Sequence, residues 1–562
     1  MKKLIECVPN FSEGRDLSII KQITDEIEKV EGVNLLDVDP GHATNRTVVT
    51  MVGEPEPVLE AAFRAIKKAS ELIDMSKHKG AHPRFGATDV CPLVPVSNIS
   101  MEETVVYAHT LAKRIGEELN FGIYCYENAA LKPERRNLAT CRSGEYEGLV
   151  DKLSKPEWKP DFGPAVFNAK TGVTAVGARD FLVAINYNLN TTSTRRASSV
   201  AFDVREKGRV KTEDGTASGK KVIDENGNVV WEAGTLKGTK AIGWFIDEYG
   251  VAQVSMNITN INETPVHIAF DEVSEKARLR GLRVTGAELV GLIPLSAMLD
   301  AGKHYLVKQE RSVGVSDKEL MKIAIKSMGL DDLYEFKPEE KIIEYLIADK
   351  NASNLVDMNL TAFAEETASE SPAPGGGSVS AYIGALGISL GTMVANLSSH
   401  KRGWDDRWEE FSVWAEQGQA FMKKLLYYVD EDTQAFNKIM NAFKLPKGNE
   451  SEIKFRKQAI EEATRYAIEV PYSVMETALA SMEVIKAMAA TGNPNSASDA
   501  GVGALCSCMA VKGAFLNVKI NSADLEDKNY VKDILEKGKE IVHKSELLEK
   551  EILAIVEHSI SQ

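Results

Sequence analysis

IECVPNF (5–11), SIIKQITDEIEKV (18–30), NLLDVDP (34–40), NRTVVTMVG (45–53) and PEPVLEAAFRAIKKASELI (55–73) follow one another with short joins. The first, third and fourth are short and rich in Val, Ile and Leu, as strands are. The second and fifth repeat apolar residues at helical spacing. The order β-α-β-β-α predicts an open α/β (α+β) sandwich of ferredoxin-like type, with helices on one side of a sheet. A second cycle starts near FNAKTGVTAVGARDFLVAINYNLN (167–190). It continues through a helix to GTLKGTKAIGWFIDEYGVAQVSMNITNI (234–261), with a hairpin turn at Glu225-Asn226-Gly227-Asn228. Two subdomains are expected, 1–178 and 179–310.

Beyond about residue 316 the strand signals stop. Ser316-Asp317-Lys318-Glu319 has the pattern of a capping box, and its helix should end near Gly329. Pro338 stands where the next helix would take its first residue. Long helical patterns follow, broken at SPAPGGGS (371–378), LPKGNES (445–451) and TGNPNSASDAG (491–501). The expectation is a helical linker over 311–355 and an all-α bundle over 356–562. A chain of 562 residues that changes texture once in this way reads as two fused functions.

The formal charge of −15 argues against a nucleic-acid partner, which needs a broad basic face. Six scattered cysteines read as reduced and buried, without the paired spacing of a zinc site. No charged, apolar and small-residue order of a leader opens the chain, so a cytoplasmic setting is expected. The longest apolar stretch, 381–397, is short for a membrane span and broken by Gly, Ser and Thr. It reads as a buried helix in close helix contact, with no membrane partner.

Against that acidic background, KHKGAHPRFGATD (77–89) gathers two histidines, two lysines and an arginine around His82. Pro83 keeps His82 extended, and Gly80 and Gly86 let backbone approach a ligand. A neutral imidazole there can take a proton at neutral pH. Spacing alone equally describes a polar turn whose histidines bond backbone. A zinc site from Asp39, His42, His78 and His82 lacks the usual helical spacing, and no metal is expected.

Longer motifs favour the catalytic reading. VPNFSEGRD (8–16), DVDPGHATNRTVVTMVG (37–53), GAHPRFGATDVCPLVPV (80–96), GPAVFNAKTGVTAVGARDFLVAINYNLN (163–190) and ELVGLIPLSAML (288–299) resemble the glutamate formimidoyltransferase family. ETASESPAPGGGSVSAYIGALG (366–387), DEDTQAFNKIM (430–440) and NPNSASDAGVGA (493–504) resemble formimidoyltetrahydrofolate cyclodeaminase. The resemblance implies two consecutive reactions on tetrahydrofolate. Its formimidoyl donor is N-formimidoyl-L-glutamate, and the second step releases ammonia.

It makes His82 the base of the first step and Gly163, Pro164, Ala165, Val166, Phe167, Asn168, Ala169, Lys170, Thr171 and Gly172 a folate-binding segment. Asp39 is the carboxylate proposed beside the cationic intermediate, or simply the closer of the turn at Pro40-Gly41. Arg46, Arg84 and Arg179 suit the carboxylates of glutamate or folate, or structural ion pairs. In the second half Gly375, Gly376, Gly377 and Ser378 offer helix N–H groups, or tight helix packing. Asp405, Asp406, Glu409, Asp432 and Asp499 are considered as acid or base, with Asp432 and Asp406 preferred. Around Gly403 to Glu410 the sequence departs from the animal pattern.

Folate with a polyglutamate tail is expected as co-substrate. Lys220, Lys221, Arg195, Arg196, Lys401 and Arg402 are basic positions for the tail, or ordinary solvated charges. The family implies a homo-oligomer, a ring of dimers. Rival readings are a glycine or formyl donor, and a folate-binding scaffold with one half inactive.

Overall fold

The computed structural model describes residues 3–42, 45–80, 83–215, 219–247, 249–348, 354–523 and 525–561. The chain forms two compact units, Met1–Met298 with Met328–Ala348, and Leu299–Ser327 with Asp349–Gln562.

The first unit begins β1 (Leu4–Cys7), β2 (Asn10–Phe11), α1 (Leu17–Glu28), β3 (Val33–Gly41), β4 (Arg46–Gly53), α2 (Pro55–Leu72), β5 (Thr88–Ser97), α3 (Met101–Glu118), β6 (Ile123–Glu127), α4 (Leu138–Arg142), α5 (Leu149–Leu153) and β7 (Thr174–Ala178). Its seven strands make one mixed sheet in the order β1-β4-β2-β5-β7-β6, with β3 outside on β4. The β5–β7 and β6–β7 pairs are parallel, whereas β1, β2 and β3 pair antiparallel to their neighbours.

Strand alternation sorts the side chains between the two faces. Ile5, Cys7, Val49, Met51, Cys91, Leu93, Val176 and Ala178 share a core with Ile23 and Ile27 of α1, Val58 and Ile66 of α2, and Leu111 and Ile115 of α3. Val90, Tyr124 and Tyr126 belong to a second cluster with Phe85. Two of the helices are fixed at their starts by side chains. Asp16 accepts from Ser18 N at 2.9 Å, and Ser100 with Glu103 forms a reciprocal capping box.

The same unit continues with β8 (Val183–Leu189), α6 (Thr194–Val204), β9 (Arg209–Val210), β10 (Trp231–Glu232), β11 (Thr239–Ile246), β12 (Val251–Ile258), α7 (Val266–Arg278) and β13 (Val284–Val290). These give a four-stranded antiparallel sheet, β11-β12-β8-β13, and a small β9–β10 pair.

Next come α8 (Leu295–Lys308), α9 (Asp317–Met328), α10 (Pro338–Lys341) and α11 (Ile343–Leu346). Ser316 Oγ accepts from Glu319 N, Gly329 follows α9 with φ +58°, and Pro338 opens α10.

The helical unit joins most of α8 and α9 to α12 (Leu360–Thr367), α13 (Gly376–Ser399), α14 (Trp408–Lys444), α15 (Glu450–Thr491), α16 (Ala497–Asn521) and α17 (Lys528–Ile560). The three Gly/Pro-rich breaks in the sequence fall at the start of α13, between α14 and α15, and between α15 and α16. Helices α13 and α16 are apolar enough by composition to cross a membrane, yet 61% and 56% of their most apolar windows are buried within the fold. Their contact is close because it is lined by small residues: a Cβ on Gly387 would lie 2.8 Å from the Gly503 carbonyl.

Pro471 stands inside α15 and has no N–H, so the Ala467 carbonyl loses its helical donor. Asn521 of α16 supplies the missing bond through Nδ2, 2.7 Å away.

Candidate active sites

His82 lies outside the described residues, but the chain on both sides of it is held firmly. Arg84 Nε donates to His78 Nδ1 at 3.2 Å. A guanidinium has no acceptor, so Nδ1 carries no proton and His78 is the Nε2–H tautomer. Its Nε2 therefore donates to Asn45 O, 2.8 Å away, and burial pushes its pKa down. Asn45, at φ +49°, donates from Nδ2 to Lys79 O at 3.1 Å and accepts from Gly14 N at 3.0 Å. Downstream, Phe85 N donates to Asp89 Oδ1 at 3.1 Å and Ser12 Oγ to Gly86 O at 2.7 Å. Lys79 O and Phe85 N are thus both pinned.

The three candidate arginines have different fates. Arg46 bonds Asn10 Oδ1 and Asp89 Oδ2, the latter at 2.6 Å. Arg84 reaches Glu147 at 2.8 Å and Glu145 at 3.2 Å beside an open cavity of about 460 Å³. Arg179 lines a different cleft of about 480 Å³, between the two sheets of the first unit. That cleft also takes in Asn10, Tyr126, Glu127, Arg142 and Lys240.

Arg142, not singled out in the sequence, shares the fully buried Asp89 with Arg46 at 2.7 Å. Glu6 is buried near Arg179, and burial pushes its carboxyl up to about 7 against the pull of that guanidinium. Asp39 is exposed near the end of β3, paired in register with Val48.

Gly163–Gly172 runs across the surface, with Ala165, Val166, Ala169 and Lys170 exposed. Its end glycines serve the protein's own backbone. Both have positive φ, and a Cβ would lie 2.2 Å from Phe121 O at Gly163 and 2.2 Å from Phe85 O at Gly172. Gly172 forms a bridge to Gly86, flanked by Ala87 N to Thr171 O at 2.8 Å and Val173 N to Phe85 O at 3.1 Å. The segment is therefore tied directly to the loop that carries His82.

In the helical unit a cleft of about 160 Å³ is lined by Pro372, Gly375, Gly376, Asp432, Asn517 and Asn521, among others. Asp432 of α14 accepts from Ser378 N at 2.9 Å and Ser378 Oγ at 3.2 Å, so it caps α13 from a neighbouring helix. Burial raises its pKa while these bonds oppose the rise. Glu431 next to it is buried and bonded to Tyr466 and Lys438.

Asp406 lies on the turn before α14, and 24 helical residues separate Trp408 from Asp432. At about 1.5 Å per residue that is about 36 Å, so the two preferred aspartates do not meet in one chain. Asp499 opens α16, whereas Asn517 near its other end lines the cleft; the same rise puts Asp499 about 27 Å from Asn517. Among the described residues no three His, Cys, Asp or Glu side chains converge as a metal site.

Family comparisons cover both units. The formiminotransferase domain, N-terminal subdomain, matches residues 4–179, the formiminotransferase domain matches 184–348, and formiminotransferase-cyclodeaminase matches 359–540. The formimidoyltransferase-cyclodeaminase of Gallus gallus is 42% identical, covering 94% of each chain. The chain belongs to the formimidoyltransferase-cyclodeaminase family.

Another formimidoyltransferase-cyclodeaminase, from Dictyostelium discoideum, is 40% identical over 99% of both chains. The glutamate formimidoyltransferase of Streptococcus pyogenes serotype M1 is 40% identical, spanning 54% of this chain and 94% of its own length. Among solved structures, formiminotetrahydrofolate cyclodeaminase from Thermotoga maritima covers 36% of this chain and 98% of its own, at 27% identity and a TM-score of 0.33. Within this formimidoyltransferase-cyclodeaminase, Arg142, Glu6, Asn517 and Asn521 are the site-lining or site-adjacent residues that sequence reasoning passed over. Arg142 and Glu6 sit in no distinctive motif. Asn517 and Asn521 lie in an apolar helix and give no signal in the sequence, since their amide partners appear only in the fold.

Proposed function

We propose that this bifunctional enzyme moves a formimidoyl group from N-formimidoyl-L-glutamate to N5 of tetrahydrofolate and then closes the product to 5,10-methenyltetrahydrofolate, releasing ammonia. The observation that carries this is the 42% identity over 94% of both chains to a relative with both named activities, with each half matched by its own family.

In the first step N5 attacks the formimidoyl carbon, and the bond to the glutamate nitrogen breaks. N5 loses a proton and the leaving nitrogen gains one, so one base that becomes an acid serves both halves. His82 is proposed for that role, with Asp39 as the carboxylate beside the cationic intermediate. Lys79 and Phe85, on either side of it in the sequence, are hydrogen-bonded to Asn45 and Asp89. Arg46 and Arg84 are already committed to carboxylates of the protein. Arg142 is committed in the same way, to Asp89, which leaves Arg179 in the inter-sheet cleft as the stronger partner for a substrate carboxylate.

In the second step N10 attacks the same carbon and ammonia leaves. Asp432, half-buried and with its pKa raised, is suited to take the N10 proton and pass one to the departing nitrogen. A ring of dimers, polyglutamated folate and a cytoplasmic setting belong to the same proposal. The exposed stripe Val502, Leu505, Met509, Leu516 and Ile520 along α16 supports the first of these.

The test assays each step alone. His82→Ala should stop glutamate release and still cyclise supplied 5-formimidoyltetrahydrofolate, while Asp432→Asn should do the reverse. Retention of both activities in either variant would overturn that assignment, and turnover of formimidoylglycine in place of the glutamate compound would change the donor.

A further inference from the structure

Within the Asp432 cleft two asparagines stand four residues apart on α16, Asn517 and Asn521. Residues at this spacing share a helix face. The amide orientation of each is decided by its partner. Asn517 Nδ2 donates to the Gly513 carbonyl at 3.1 Å, and Asn521 Nδ2 donates to the Ala467 carbonyl that Pro471 has released, at 2.7 Å. A carbonyl only accepts, so the atom facing it is nitrogen in both cases. Both Oδ1 atoms are left as acceptors, with no donor to either among the described residues.

Opposite them, Gly376 and Gly377 belong to the first turn of α13, where backbone N–H groups have no helical acceptor. A Cβ on Gly376 would lie 3.4 Å from Asn517 Nδ2, so the helix end and the asparagine face one another. Gly376 lines the cleft, which therefore presents a pair of acceptors near a helix-start N–H donor. It is small, about 160 Å³, which suits a ring system with its tail outside rather than a whole extended ligand.

We infer that Asn517 and Asn521 bind the pyrimidine edge of the reduced pterin, accepting from its 2-amino group and N3–H, while the start of α13 donates to the 4-oxo oxygen. This rests on the reading of the cleft as the cyclisation site and adds how that site selects its ring. The committed Nδ2 groups give it a direction: the asparagines accept, so a ring whose edge lacks those donors leaves two oxygens unsatisfied.

The experiment uses the full chain and two supplied substrates, 5-formimidoyltetrahydrofolate and the analogue in which methyl replaces the 2-amino group. The wild type should show a KM about tenfold higher for the analogue, the scale of one lost hydrogen bond. Asn517→Leu should raise the KM for the natural substrate about tenfold, leave kcat within about threefold, and abolish the discrimination between the two rings. Asn521→Leu also takes the donor from the Ala467 carbonyl, so it should raise the same KM and lower the melting temperature of the helical unit, whereas Asn517→Leu should leave that melting temperature unchanged. Undiminished discrimination in Asn517→Leu would overturn the inference. Cyclisation surviving in Asp432→Asn would instead remove the reading beneath it, a separate and recognisable outcome.

Discussion

Replacing Glu6 by Gln should make the first unit more stable at pH 8 and leave it unchanged near pH 4. Glu6 lies on β1 between Val52 and Val94, 5% exposed, and burial pushes its carboxyl up to about 7 while Arg179 pulls it down. In an unfolded chain the same group titrates near ~4.3. The folded state therefore holds this proton more tightly. The stability it contributes is complete below the unfolded value, is lost as pH rises toward 7, and levels off above. Each pH unit of that gap is worth about 1.4 kcal/mol, so the loss is about 4 kcal/mol. Gln has nearly the same shape and no proton to lose.

The two proteins should then have equal unfolding free energies at about pH 4, diverge through pH 5 and 6, and differ by about 4 kcal/mol at pH 8. In melting temperature that is roughly 8–16 °C. Urea unfolding followed by loss of transferase activity reads the first unit alone. A gap between the variants that is flat from pH 4.5 to 8, or a Gln variant less stable at pH 8, would refute the reasoning.

Other consequences are equally direct. Asp89→Asn leaves Arg46 and Arg142, 12% and 13% exposed, without their shared charge; the first unit should lose about 3–5 kcal/mol in denaturant titrations, with part regained in Asp89→Asn/Arg142→Met. Gly377→Ala would bring a Cβ within 2.1 Å of Asp432 Oδ1, and by displacing that carboxylate should cut cyclisation about 100-fold while transfer continues. His78 is held neutral by burial, so the stability it contributes is present above the ordinary histidine value and lost as pH falls through its lowered folded value. The hydrogen-exchange protection factor of the Phe85 amide should fall on acidification below about pH 6.5, and His78→Gln should flatten that response.

The architecture was legible because its signals are local. The Ser316 capping box, Pro338 and the three Gly/Pro-rich breaks each act within a few residues, and all mark the helix boundaries found in the fold. Site chemistry was legible only where it is carried by a motif. Arg46 and Arg84 read equally as substrate partners or structural ion pairs because a sequence shows only the cation. Their carboxylate partners lie 43 and 63 positions away, at Asp89 and Glu147, and only folding brings them together. Asp406 and Asp432 are both preferred in the sequence, Asp432 in the better-matching motif, and the length of α14 keeps them apart. Asn517 and Asn521 were silent because an asparagine in an apolar helix announces nothing until its amide partner is known.

The Gly86–Gly172 bridge carries a consequence for how such an enzyme can vary. Two loops that cross at paired glycines, with reciprocal amide bonds on either side, are fixed in length as well as in shape. Adding or deleting one residue in either would shift the crossing and unseat the other. New donor or folate preferences in this lineage are therefore expected to arise by exchanging side chains between Gly163 and Gly172, with the number of residues there held constant.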